Sequence, residues 1–316
     1  MMRGLAFAVL GLALAAPLQA EPQRPVSRLG IAGIVTDPAL GELSGLAVSR
    51  LASDRFWGIN DGGNGNRLVL IDGRGRVLRE FVVTDAENVD WEDLASFAWK
   101  GQNWLLVADT GDNSGNREQV SLWLLPEPDP DGKASQTSAA RQLRFTYPDA
   151  PHDVEAMTVD EEAGLVYLVS KRTVPPILFQ LPLDGFDAKE ALVAERVATL
   201  DRIPQPTPAE IKRDGSLSRF RSQTTAMELD CTGLNFLVLT YDAIYRYSRS
   251  KDQSWAQALA EQEPTRSSIS LLPQAEAMAL DQGCQHLYVG SEKAPVPLLR
   301  FRYRPAQPVQ LAPAEH

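Results

Sequence analysis

The sequence predicts an all-β fold, a β-propeller of five four-stranded blades closed by an N-terminal strand. Three observations carry that expectation. A short alternating strand motif recurs five times: Ser44–Ser49, Glu92–Phe97, Glu155–Asp160, Thr225–Asp230 and Glu276–Asp281. About sixteen residues after each start, a second apolar strand runs into a polar residue: Asn60, Asp109, Lys171, Tyr241 and Glu292. Long helical periodicity is absent; only Ser254–Glu261 reads as briefly helical. Repeats of this length, each too small to bury its own faces, form a core by packing on their neighbours, and closure into a ring removes exposed sheet edges.

The elements follow in order. An orphan strand, Leu29–Val35, precedes the first unit. Third strands fall at Arg67–Asp72, Ser121–Pro126, Ile177–Pro182, Ala243–Ser248 and Leu298–Tyr303. Fourth strands follow at Val77–Val83, Arg141–Tyr147, Glu195–Leu200 and Ser267–Leu272, and the fifth unit has none. The orphan strand is therefore expected to complete it. The alternative is six blades, with a degenerate unit in the long connections around 184–222 or 249–266.

Residues 1–20 read as a signal peptide, with Arg3, an apolar run from Gly4 to Ala16 and a small residue, Ala20, before the cut. That run is too short to span a bilayer. Residues 21–27 follow as an N-terminal linker, 28–304 as the propeller domain and 305–316 as a C-terminal tail. The expected location is the periplasm or outside the cell, without membrane insertion. An exported chain with two cysteines can form one disulfide, and Cys231 and Cys284 lie in equivalent turns of neighbouring units, where they could bridge the two units; two free buried thiols are the alternative. The net charge of −10 argues against a nucleic-acid partner.

Loops joining fourth strands to the next unit, and second strands to third, share one face of a propeller. In this chain those loops carry the distinctive polar residues. The first residues of the repeat read Ser44, Glu92, Glu155, Thr225 and Glu276, and the ends of the second strands differ similarly. Unlike residues at equivalent positions suggest one asymmetric site at the channel mouth; strand-end capping is the competing reading. Converging carboxylates raise one another's pKa unless a hard cation with oxygen ligands separates them. The metal candidates are accordingly Glu92, Asp109, Asp112, Glu155, Glu276 and Glu292, with calcium as the ion. The ligand-binding candidates are Asn60, Asp61, Arg117, His152, Lys171, Arg172, Tyr241 and Lys293, for a small anionic molecule. The Asp201–Ser222 insertion is locally basic and reads as a Pro-rich loop that either joins that anion site or is solvated surface. No Gly-x-Ser-x-Gly elbow, P-loop or dinucleotide fingerprint is present, and no catalytic base is identified.

Glu42-Leu-Ser-Gly-Leu-Ala47, Asp90-Trp-Glu-Asp-Leu-Ala95, Gly111-Asp-Asn113 with Arg117, Asp153-Val-Glu-Ala-Met157 and Ser170-Lys-Arg172 together resemble a family of secreted bacterial propellers grouped with phytase-like, SdiA-regulated and TolB-type propeller domains. The chain departs from that pattern at Leu239, Met227-Glu228 and Lys293. The phytase-like resemblance implies calcium and phosphoester hydrolysis; lactonase-type propellers imply one calcium in the channel. The expected activity is a metal-dependent hydrolase of a small phosphoester or lactone. The alternative is a non-catalytic scaffold that binds a ligand or a periplasmic protein.

Overall fold

The computed structural model describes residues 24, 26–269, 272 and 274–306. The expected signal peptide, most of the linker and nearly all of the tail lie outside them. The described strands form five antiparallel blades. Blade 1 comprises Leu43–Val48, Arg55–Asn60, Arg67–Asp72 and Val77–Thr84. Blade 2 comprises Trp91–Trp99, Gln102–Asp109, Val120–Pro126 and Arg141–Thr146. Blade 3 comprises Val154–Asp160, Leu165–Ser170, Ile177–Pro182 and Glu195–Thr199. Blade 4 comprises Thr224–Leu229, Asn235–Thr240, Ala243–Ser248 and Thr265–Ser268. In blade 5, Ala275–Leu280, His286–Ser291 and Val296–Tyr303 are joined by the N-terminal strand Val26–Val35, which pairs antiparallel with Val296–Tyr303. The innermost strands pack on one another in sequence, and the last packs on the first. This is the five-bladed ring, not the six-bladed alternative. The closing strand begins at Val26, inside the segment read as linker.

The alternation of the innermost strands explains the closure. Two residues beyond the start of each repeat stand Leu46, Leu94, Met157, Met227 and Met278, all buried. Each enters a different one of the five apolar clusters that fill the clefts between adjacent blades. One large apolar side chain per blade thus packs each interface, and the small residues before it in blades 3 to 5, Ala156, Ala226 and Ala277, enter the cluster on the other side of their blades.

Four elements differ from the sequence expectation. Gln136–Ser138 and Leu192–Val193 add short parallel strands to the outer edges of blades 1 and 2. They are too brief to show alternation. The Asp201–Ser222 insertion contains a helix, Pro208–Asp214, where a loop was expected. A capping box starts it: Thr207 caps the Glu210 amide, and Glu210 accepts a hydrogen bond from the Thr207 backbone amide. The fourth strand of blade 4 ends at Ser268, short of Leu272. The Ser254-capped helix Trp255–Glu261 lies where expected, and Trp255 stacks on Phe236 at 3.6 Å. No helix among the described residues is long and apolar enough to cross a membrane. Cys231 and Cys284 form a disulfide across the turns of blades 4 and 5, with Cα atoms 6.2 Å apart.

Candidate functional site at the channel mouth

Every innermost strand has a β-bulge at the same place. Pairing jumps from Leu43 to Gly45, Trp91 to Asp93, Val154 to Ala156, Thr224 to Ala226 and Ala275 to Ala277. The skipped residues are Ser44, Glu92, Glu155, Thr225 and Glu276, the first residues of the five repeats. A bulge releases one residue from the ladder and re-aims its side chain. The two short side chains staple adjacent blades: Ser44 Oγ donates to Trp91 O at 3.0 Å and Thr225 Oγ1 to Ala275 O at 2.7 Å. The three glutamates are longer and extend into the mouth.

Glu92 is the hub. It shares one grouping with Asp61 and Asp90 and a second with Asp153 and Glu155; within each, one carboxylate oxygen per residue lies within 4.8 Å of the others. The second grouping carries its own cations. Lys171 Nζ is ion-paired with Glu155, and Arg172 Nε donates to Asp153 Oδ2 at 2.5 Å. The first has no such partner. Among the described residues the Asp90 and Glu92 side chains accept no hydrogen bond, and Asp61 accepts only from the Gly62 amide, at 2.5 Å. Glu92 is only 6% exposed.

Two glycines make this grouping possible. A Cβ on Gly111 would stand 2.1 Å from Glu92 Oε1 and 2.5 Å from Asp90 Oδ2, and one on Gly62 would stand 2.1 Å from Asp90 Oδ1. Any larger residue would displace the carboxylates. Three crowded carboxylates that form no ion pair among the described residues, with Lys171 and Arg117 acting on them only at longer range, match the donor set of a hard divalent cation.

The electrostatics agree with the geometry. Burial, then the charges of Glu155, Asp61 and Asp90, pushes Glu92 well above the usual carboxylate range. Burial, then Asp61, raises Asp90 to about 6. Burial lifts Glu155 to about 8 against the pull of Lys171, and lifts Glu276 to about 7. Lys171 is pushed up: the surrounding Glu155, Tyr241 and Glu276 outweigh its desolvation. These carboxyls bind protons more tightly in the folded chain than in the unfolded one. Their contribution to stability is therefore full below about pH 4, where the unfolded groups are also protonated, and is lost as pH rises through about 6 to 8. Lys171 stays charged in both states across that window and adds no slope. The melting temperature in chelator is expected to fall between pH 5 and pH 8.5; a flat or rising profile from differential scanning fluorimetry would contradict this electrostatic description.

The structure separates the sequence candidates. The residues paired across the hairpins from the bulges are Asn60, Asp109, Ser170, Thr240 and Ser291. The sequence reading grouped Asn60 and Asp109 with Lys171, Tyr241 and Glu292, one position out of register. The first two hairpins are longer, so a constant spacing misaligns them. Residues at the true strand ends cap. Asn60 accepts from the Glu42 amide at 3.0 Å and donates to Ala39 O at 2.9 Å. Asp109 accepts from the Asp90 amide, from Arg117 at 2.9 Å and from Trp123 at 3.3 Å. Asp112 caps its own turn through the Asn116 and Arg117 amides. Asp109 and Asp112 thus lie outside both carboxylate groupings, with their oxygens engaged.

The residues one step further on, Asp61, Lys171, Tyr241 and Glu292, surround the mouth. Tyr241 donates to Glu276 Oε1 at 2.8 Å and lies beneath Lys171 Nζ, 5.4 Å from the ring centroid. Glu292 accepts from Gln274 at 2.6 Å, with Lys293 Nζ 3.9 Å away. His152 packs against Tyr147 and Phe179, with Nε2 2.9 Å from Asp149 and Nδ1 3.3 Å from Thr173. Asp90 and Asp153 were missed as site residues. The signal was present, since each stands two residues before a bulge glutamate in an Asp-x-Glu sequence.

No protein-family model matches the chain, and no curated protein matches it in sequence. Solved structures with a similar course include the β-propeller domain of Cps50 (Swd1) from Myceliophteria thermophila, at 17% identity and a TM-score of 0.44, covering 90% of this chain and 73% of that one. They also include the PQQ-bound aldose sugar dehydrogenase of Streptomyces coelicolor, at 10% identity and a TM-score of 0.45, covering 89% of this chain and 100% of the other. At such identities the likeness concerns the fold alone.

Proposed function

We propose that this is an exported propeller whose channel mouth holds one divalent cation, calcium by its donor chemistry, between Asp61, Asp90 and Glu92. Its activity on this reading is cation-dependent hydrolysis of a small anionic phosphoester or lactone. The observation that carries the reading is the buried Glu92 carboxylate, which accepts no hydrogen bond and meets two further carboxylates across the space left by Gly62 and Gly111. A bound cation would supply charge to polarise a substrate oxygen and a bound water. Lys171 holds Glu155 in position beside Glu92, and Tyr241 does the same for Glu276. With their raised proton affinities near neutrality, Glu155 and Glu276 suit proton transfer at the mouth. Arg172 and Arg117 are tied to Asp153 and Asp109, so they fix the loops that carry the carboxylates.

Titration of chelator-treated protein with calcium is expected to give one site per chain and a higher melting temperature. Glu92→Gln and Gly111→Ala are each expected to weaken it on the order of 100-fold, because ligand charge count and cavity shape set affinity. If calcium neither binds nor shifts melting, the reading fails. If it binds but no phosphoester or lactone in a substrate panel turns over, the site is a binding scaffold instead.

A further inference from the structure

The channel has a second end. On the face that carries the disulfide, a cavity of about 530 Å³ opens between the hairpin turns of the blades. It is separated from the mouth by Asp93, one residue beyond the blade 2 bulge. Asp93 is buried and lies across the axis, accepting hydrogen bonds from Leu94 N, Met157 N and Met227 N at 2.8, 2.8 and 3.4 Å.

The level below is asymmetric. Three residues beyond each bulge stand Ala47, Ala95, Thr158, Glu228 and Ala279. Four are small and one is a carboxylate, and the first four line the cavity. Four small neighbours leave room in front of Glu228. Among the described residues no cation is ion-paired with it, and the neighbour that favours its charged form is the Leu280 backbone amide. Burial and the nearby Asp230 push its pKa up to about 8. Ser96, which also lines the cavity, has a buried Oγ without a hydrogen-bond partner among the described residues. The walls add Val48, Val159, Leu229 and Leu280, and the rim adds Glu161 and Glu162. Arg50 at the rim is held by Glu161 at 2.8 Å.

We propose that this cavity binds a small organic cation, a primary ammonium or diamine, with its charged group against Glu228 and its methylene body along the apolar wall. A metal ion fits less well. Carboxylate oxygens converge in threes only at the mouth among the described residues, and Glu228, although other carboxylates line the cavity, belongs to no such grouping and cannot by itself replace a hydration shell. An ammonium needs one anion and a few acceptors, and its alkyl chain gains from apolar contact. Ser96 Oγ supplies an acceptor, and Glu162 at the rim suits a second amino group. The proposal does not depend on the mouth site.

Isothermal titration of the whole chain at about pH 9, above the raised Glu228 pKa and below that of a primary ammonium, with 1,4-diaminobutane, n-butylammonium and n-butanol tests it. Saturable 1:1 binding is expected for both cations and none for butanol. Glu228→Gln, close in shape to the carboxyl it replaces, is expected to weaken diaminobutane on the order of 100-fold by removing the half-buried partner charge. Glu92→Gln is expected to leave that binding unchanged. Absence of saturable binding by either amine, equal binding of butanol, or an unchanged affinity in Glu228→Gln would each overturn the proposal.

Discussion

Removing the chain through Val35 is expected to leave no folded monomer. That deletion takes away the strand whose partners run from Tyr303 to Val296, and with it Val26 and Val35, which are buried in two different interblade clusters. Val26 packs with blades 4 and 5, whereas Val35 packs between blades 5 and 1. The strand also threads tightly past the Asp72–Arg76 turn: a Cβ on Gly33 would fall 1.7 Å from Arg74 O. One segment therefore closes blade 5 and clamps it to blade 1. Its loss would bare the backbone edge of Val296–Tyr303 and the apolar side chains beneath, the arrangement that recruits other chains. Each buried valine is worth roughly 2 kcal/mol, and ladder hydrogen bonds add about 1 kcal/mol each, so the total approaches the roughly 5–15 kcal/mol margin of a whole domain. Size-exclusion chromatography and circular dichroism should find aggregate or unfolded chain. Gly33→Val should lower the melting temperature without abolishing folding. A soluble, cooperatively melting deletion variant would show that the ring does not need this strand.

Replacing Asp93 with alanine is expected to be the most damaging single substitution on the axis. Its carboxyl joins its own strand to those of blades 3 and 4 by accepting from Leu94, Met157 and Met227. Alanine leaves those amides without acceptors in a buried place, at about 1–3 kcal/mol each for the two short bonds. A loss of about 4 kcal/mol corresponds to a melting temperature lower by on the order of 10 °C. Burial raises the Asp93 pKa well above the usual range, and nearby Glu228 adds to the effect. Asp93→Asn keeps one acceptor oxygen for part of this network, so it should cost less than the alanine substitution. Thermal melts of the two variants decide the matter: equal losses, or no loss in the alanine variant, would contradict this account.

The ring was legible because repetition is a sequence property. Five copies of one apolar-polar alternation, with a missing fourth strand matched by an orphan first strand, leave closure as the economical way to bury every face. The glutamates at the bulges were legible for a related reason: Glu92, Glu155 and Glu276 replace Ser44 and Thr225 at equivalent positions. Spacing alone placed Asn60 and Asp109 at the mouth, where they are strand caps, because hairpins one or two residues longer shift equivalence without changing the look of the strand. The N-cap signature at Thr207-Pro208-Ala209-Glu210 was present but hidden inside a proline-rich connection.

The sequence by itself determined the repeating unit, the closing strand, and the unlike residues at each level of the axis, since all three follow from alternation and repetition; the structure decided five blades over six. Only the tertiary structure decided which carboxylates meet. Asp61 arrives from one blade and Asp90 and Glu92 from the next, Gly62 and Gly111 set the gap between them, and Asp93 divides the channel. Those distances depend on how bulges turn side chains and how blades pack, and no local pattern along the chain encodes them.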